Sequence, residues 1–295
     1  MKCLKTKNKI TDIFSYISNV IKILIWPIIF IIGQFLLVVI FGIIFNANKY
    51  TEIKLANQNL SKEEYAVIYK DYIKTVDYQN ELKIFIDSHL ISITIITFII
   101  FFIIFYFIYK KNRNNYYNNK ITFNNIFILI LTGISLNISY NLTLSSINNI
   151  YHFTEVYNGI DVNIFTYIIC TGILGPILEE LLFRGIVYNK LKKFNKIMKS
   201  IILTSIIFAL FHQTGVQILY AFCLSFILIY FYEKFKNIIA PIIIHISSNI
   251  MNFFTCMLIN KNNVILNLIL VIMSFTILYI INTKIIKKDL STIQN

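Results

Sequence analysis

The stretch PILEELLFRG at residues 176–185 decides how this chain folds. It sets two adjacent carboxylates, Glu179 and Glu180, and the guanidinium of Arg184 inside an otherwise apolar run. An ionisable side chain within a membrane span costs at least about 2.5–3.5 kcal/mol on insertion scales, and it persists only against a partner or a hydrated cavity. The meaning of the stretch therefore turns on whether the surrounding chain is built for lipid.

Composition answers that it is. The chain has 295 residues, 57% of them hydrophobic and only 14% charged, with a mean hydropathy of +0.69. Soluble domains carry about a quarter charged residues. Apolar runs long enough to span, about 20 residues each, fall at 23–45, 90–109, 126–148, 162–184, 200–214, 216–232, 238–258 and 264–282. HQTG at 212–215 marks the break between the fifth and sixth. The expected fold is all-α, a polytopic transmembrane helix bundle of about eight spans.

Charge placement orients the bundle. Lys2, Lys5, Lys7 and Lys9 precede the first span, and Lys110, Lys111, Arg113 and Lys120 follow the second. Lys190, Lys192, Lys193, Lys196 and Lys199 follow the fourth, Lys234 and Lys236 the sixth, and Lys284, Lys287 and Lys288 the eighth. With eight spans all these groups share one face, so both termini are expected in the cytoplasm. The net charge of +13 is thereby explained without nucleic acid. The basic residues form no stripe interleaved with aromatics, as a nucleic-acid surface requires.

The organisation reads as N-terminal spans over 1–160, a core over 161–260 and a last span with a basic tail over 261–295. The first apolar run is too long for a signal segment and has no small-residue cleavage site after it. Cys3, Cys170, Cys223 and Cys256 form no CxxC pair, which predicts neither a disulfide framework nor a cysteine metal site. Heavy use of Ile, Asn and Lys suggests a bacterial source, with the protein in the cell membrane. The long loop at 46–89 carries a capping box, Ser61 with Glu64. Tyr65, Ile68, Tyr72, Ile73 and Val76 then recur at helical spacing, which predicts an outer amphipathic helix lying on the membrane or packed on the bundle.

Helical spacing sorts the polar residues within the spans. Adjacent residues on a helix point about 100° apart, so Glu179 and Glu180 cannot share one task. Glu180 and Arg184 are four apart and can pair, which makes both structural and leaves Glu179 available. His245 and Asn249 share one face of the seventh span, as Phe208 and His212 do of the fifth. Counting about 1.5 Å per residue from the cytoplasmic ends brings these groups to comparable depth. A carboxylate with an imidazole can take a proton from water and return it to a leaving amine. A second imidazole and an amide N–H can stabilise an oxyanion. Glu179, His212 and His245 could also ligate a divalent metal such as zinc, although HExxH, the single-helix zinc geometry, is absent.

The blocks EELLFR at 179–184, FALFH at 208–212 and HISSN at 245–249 resemble the CPBP family of intramembrane proteases. That family embraces the CAAX prenyl endopeptidases and the bacteriocin-processing or Abi proteins, and its motifs are EExxxR, FxxxH and HxxxN. The resemblance covers about 160–260. It implies an intramembrane endopeptidase, with Glu179 and His212 activating water and His245 and Asn249 forming the oxyanion site. Glu180, Arg184 and Phe208 would support the architecture. The implied partners are a peptide or membrane-protein substrate and the bilayer, with roles in peptide maturation or bacteriocin self-immunity.

Other readings compete. His89 and His152 fall at outer span edges and read as packing residues. Asn137, Ser139, Asn141 and Thr143 read as a polar helix face turned into the bundle, not as a site. A catalytically silent scaffold or immunity protein of the same fold is the alternative function. A proton-coupled relay would lead one to expect symmetry between two halves, whereas the ionisable groups all lie in the C-terminal half.

Overall fold

The computed structural model describes residues 2–112, 119–151, 163–212 and 215–258, together with 269–270, 272–274, 276–280 and 283. Among these, all regular structure is helical. Helix α1 spans Lys2–Ala56, α2 Lys62–Tyr72, α3 Val76–Ser88, α4 Leu90–Asn112 and α5 Phe123–Tyr151. Helix α6 runs through Ile164–Leu191, α7 through Ile197–Ala209, α8 through Gly215–Phe235 and α9 through Ile239–Leu258.

Among the described residues, five stretches are long and apolar enough to cross a membrane: Phe14–Ala56, Leu90–Lys111, Phe123–Thr143, Ile164–Leu191 and Gln217–Phe235. Ile197–Ala209 and Ile239–Thr255 are shorter apolar helices. Of the expected 264–282 span, residues 269–270, 272–274 and 276–280 are described, all of them helical. Ile25, Ile28, Ile32, Phe35 and Leu36 on α1, and Ile99, Ile103 and Phe107 on α4, are exposed. Apolar faces of this extent suit acyl chains, not water.

Helix α1 is longer than its apolar run predicts. At about 1.5 Å per residue it is roughly 80 Å long, so it outruns the roughly 30 Å hydrocarbon layer. Its extension over 46–56 shortens the expected loop. What remains folds as two helices, α2 and α3. The capping box is formed: Ser61 N–H donates to Glu64 Oε2 at 2.9 Å, and Glu64 N–H donates to Ser61 Oγ at 3.3 Å. Thr75 caps α3 by accepting from Tyr78 N–H at 3.2 Å. Tyr65 and Tyr78 are buried, while Ile68 and Val76 are exposed. A tyrosine face therefore seats the pair on the end of α1. Tyr69 and Tyr78 hydroxyls each donate to Asn46 Oδ1 at 2.9 Å, and Lys49 pairs with Glu81 at 2.7 Å.

Two apolar clusters hold the bundle. One joins Ile23 and Phe30 of α1, Phe101 and Phe105 of α4, Leu182, Phe183 and Ile186 of α6, Phe208 of α7 and Tyr232 of α8. The other joins Leu129 of α5, Leu224 and Leu228 of α8 and Ala240 and Ile244 of α9. The most extensive helix pair is α5 with α9. Gly133 makes it close: a Cβ there would run into Ser247 Oγ and the Ile244 carbonyl. Small residues let membrane helices approach in this way. The polar face of α5 turns inward, with Asn137, Ser139 and Asn141 buried. His89 stacks near Phe41 and Phe85, a packing role.

Candidate active site

Helix α6 brings the decisive stretch into the bundle, and it is not a regular α-helix. It contains two π-helical segments, Ile168–Leu174 and Leu181–Tyr188, on either side of Gly175–Glu180. Such wide turns recur at functional sites. Here they flank the two glutamates.

Glu180 and Arg184 are both fully buried, and Arg184 Nη1 donates to Glu180 Oε1 at 2.9 Å. Arg184 Nη2 also donates to Ser225 Oγ at 3.0 Å, and the guanidinium lies over the Phe208 ring, 4.6 Å from its centre. Phe208 thus shields the ion pair. Glu180 does more than pair with Arg184: the same Oε1 lies 2.8 Å from His245 Nδ1. A carboxylate there accepts a hydrogen bond from Nδ1–H and turns Nε2 away from itself. Glu180 Oε2 and Arg184 Nε are buried with no hydrogen-bond partner among the described residues.

His245 Nε2 faces Glu179 Oε2 at 3.8 Å. The imidazole is almost wholly buried, with 3% exposure, while the Glu179 side chain is 30% exposed. The difference fits one group held in the protein and one facing open space. That space is a cavity of about 410 Å³ whose lining includes Glu179, His212, His245 and Asn249. All four candidate residues therefore reach one cavity.

They are not drawn together equally. His212 Nδ1 lies 3.1 Å from the Phe208 carbonyl, one turn back on α7. Asn249 Nδ2 donates to the Thr171 carbonyl at 3.0 Å. The imidazole paired with Glu179 is that of His245, from α9. Among the described residues no three His, Cys, Asp or Glu side chains are grouped closely enough to hold a metal ion. As placed, Glu179, His212 and His245 do not make such a group, and His212 Nδ1 is turned to the Phe208 carbonyl near the end of α7.

The cavity has walls that spacing within one span does not reveal. Tyr167 and Thr171 enter from α6, Asn137 and Tyr140 from α5, Tyr220 from α8 and Asn252 from α9. Thr255 Oγ1 donates to Asn137 Oδ1 at 2.8 Å, and Asn141 Nδ2 donates to Asn252 Oδ1 at 3.0 Å. Asn252 Nδ2 reaches the Tyr167 hydroxyl at 3.3 Å, and that hydroxyl donates to the Asn249 carbonyl at 3.2 Å. Tyr220 and Ser248 hydroxyls are 2.7 Å apart, and the Tyr140 ring stacks on Tyr220 at 4.0 Å. Asn137 is thus a cavity residue as well as an inward polar face. Its depth within a span was the available signal, shared by residues that merely pack.

A buried carboxylate, an imidazole it orients, a second carboxylate facing a cavity and an amide across from them can move a proton and hold a negative oxygen. Residues 161–251 match the family model described as Type II CAAX prenyl endopeptidase Rce1-like. An 82-residue stretch is 32% identical to the "Putative membrane peptidase YdiL" of Bacillus subtilis (strain 168). That stretch is 28% of this chain and spans about a third, 34%, of the relative's length. No solved structure matches the chain. Over residues 161–251 this multi-pass membrane protein is thus similar to the Rce1-like CAAX prenyl endopeptidases, the proteases to which its three polar motifs point.

Proposed function

We propose that the protein is an intramembrane endopeptidase that hydrolyses a peptide bond in a membrane-associated peptide or protein, in the cell membrane of a bacterium. The observation that carries this reading is the Glu179–His245 approach at 3.8 Å on a cavity that also receives His212 and Asn249.

Glu179 acts as the general base. Its carboxylate takes a proton as a water oxygen attacks the scissile carbonyl carbon. His212 lies on the same cavity, and with Nδ1 directed at the Phe208 carbonyl its Nε2 is left to help orient that water. The tetrahedral oxyanion is met by Asn249 Nδ2 and by His245 Nε2–H. For His245 to donate there while Nδ1–H is held by Glu180, both ring nitrogens must carry a proton, and since Glu180 already balances Arg184, the negative charge opposite the ring is that of Glu179 and then of the oxyanion. Glu179 then returns its proton to the amine nitrogen as the C–N bond breaks. Donors fixed before the charge develops lower the barrier most, and the Glu180 and Thr171 contacts provide that fixing. Every step uses side chains of this chain, and none is routed through a metal.

The test compares membrane peptides from cells producing the wild type and Glu179→Gln. Peptides that accumulate only with the variant are the expected result. Indistinguishable profiles, with both proteins present at equal level in the membrane, remove Glu179 from any hydrolytic role.

A further inference from the structure

In a π-helical segment each backbone N–H reaches the carbonyl five residues back. Gly175 does so, donating to the Cys170 carbonyl at the end of Ile168–Leu174. The next ring would close from residue 176 onto Thr171. Residue 176 is proline, which has no N–H. The Thr171 carbonyl instead accepts from Asn249 Nδ2 at 3.0 Å, across from α9.

We propose that Pro176 is a positioning residue, which leaves the Thr171 carbonyl open so that it holds the Asn249 amide in one orientation. An asparagine amide has two N–H donors and one acceptor oxygen. With one N–H on Thr171, the nitrogen side is fixed toward α6 and the second N–H remains for the cavity. The flipped amide would set Oδ1 against the Thr171 oxygen, two acceptors face to face. The backbone of Asn249 is pinned separately, through its carbonyl and the Tyr167 hydroxyl at 3.2 Å. The amide flip is therefore the freedom left to remove, and the proline removes it by lacking a donor, not by contact with Asn249. The catalytic value of this arrangement rests on the endopeptidase reading above; the arrangement itself does not.

The experiment is a double-mutant cycle read as the thermal unfolding midpoint in detergent micelles, which needs no substrate. Asn249→Ala orphans the Thr171 carbonyl and lowers the midpoint. In a Pro176→Ala background the new N–H closes the ring on Thr171, so Asn249→Ala lowers the midpoint by about half as much or less. Equal losses in the two backgrounds overturn the proposal. Pro176 replaced by lactic acid through nonsense suppression lacks the N–H as proline does. There the full loss on Asn249→Ala is expected, and a reduced loss overturns the proposal by assigning the effect to ring rigidity. This arm decides the matter even if Pro176→Ala does not fold. On peptides the wild type cleaves, Pro176→Ala lowers kcat by about tenfold or more with KM retained, and the lactic acid variant keeps kcat. An inactive wild type would count against the endopeptidase reading alone, since the unfolding cycle stands without it.

Discussion

His245 Nδ1 lies 2.8 Å from Oε1 of the fully buried Glu180, a residue 65 positions earlier on another helix. The glutamate that local spacing assigns to Arg184 is thus shared with the imidazole that faces Glu179. The ion pair and the imidazole contact meet at one oxygen atom, and they can be separated by mutation.

Glu180→Gln removes the charge and leaves Arg184 buried without a countercharge. Breaking a buried pair on one side costs about 3–5 kcal/mol, and the unfolding midpoint should fall accordingly. Glu180→Leu combined with Arg184→Met replaces both charges by apolar groups of similar reach and should recover most of that stability. Peptide cleavage should stay lost in both, because His245 no longer has its orienting carboxylate. Recovery of cleavage in the apolar double variant would show that Glu180 serves only the ion pair.

His212 and His245 should differ under substitution. His245 is buried between two carboxylates, so His245→Ala leaves Glu180 Oε1 with Arg184 alone and lowers both midpoint and cleavage. His212 is only partly buried, lies just past the end of α7 and reaches with Nδ1 only the Phe208 carbonyl, so His212→Ala should lower cleavage by about 10²-fold or more while shifting the midpoint little. Parallel unfolding and peptide measurements on the two variants check the contrast.

Gly133→Ala should loosen α5 from α9. The added methyl meets Ser247 Oγ and a backbone carbonyl, which cannot turn aside as a flexible side chain does. Overpacking of this kind costs about 1–3 kcal/mol. Gly42→Ala is the control, since a Cβ there meets nothing within 4 Å. It should leave stability unchanged or slightly raised, helix propensity favouring alanine. Thermal unfolding of both variants in one detergent is the check.

The α2–α3 pair should loosen from α1 in acid. The Lys49 ammonium, 2.7 Å away, holds the Glu81 carboxyl below its usual range. A carboxyl whose folded pKa is depressed stabilises the fold above its unfolded value, near 4.5. That contribution is lost as pH falls through the lower folded value. Amide exchange in α3, corrected for its intrinsic pH dependence, should therefore show less protection at acidic than at neutral pH. Lys49→Gln should remove most of the dependence. The side chain of Glu81 is 43% exposed, so raised salt should weaken the effect.

Much of this was legible along the chain, because local geometry and solvent preference act over a few residues. Apolar length located the helices long and apolar enough to cross a membrane. Ser61 and Glu64 announced their own cap. The four-residue step from Glu180 to Arg184 foretold their ion pair, since one helical turn superposes them whatever surrounds them. The order of Glu179, His212, His245 and Asn249 in apolar runs pointed to proton chemistry.

Tertiary structure decided what the polar atoms touch. Which oxygen receives His245, which carbonyl holds Asn249 and which tyrosines and asparagines wall the cavity depend on how each helix is rotated against its neighbours. Those rotations are set by close packing such as Gly133 under α9, and by the wide π turns that move the ends of α6 out of regular register. A hydrogen bond fails within a few tenths of an ångström of its optimum, whereas a hydrophobic pattern tolerates several. That difference in range is why membrane helices can be read from order and composition, while the contact of Glu180 with His245 could be known only once the helices were packed.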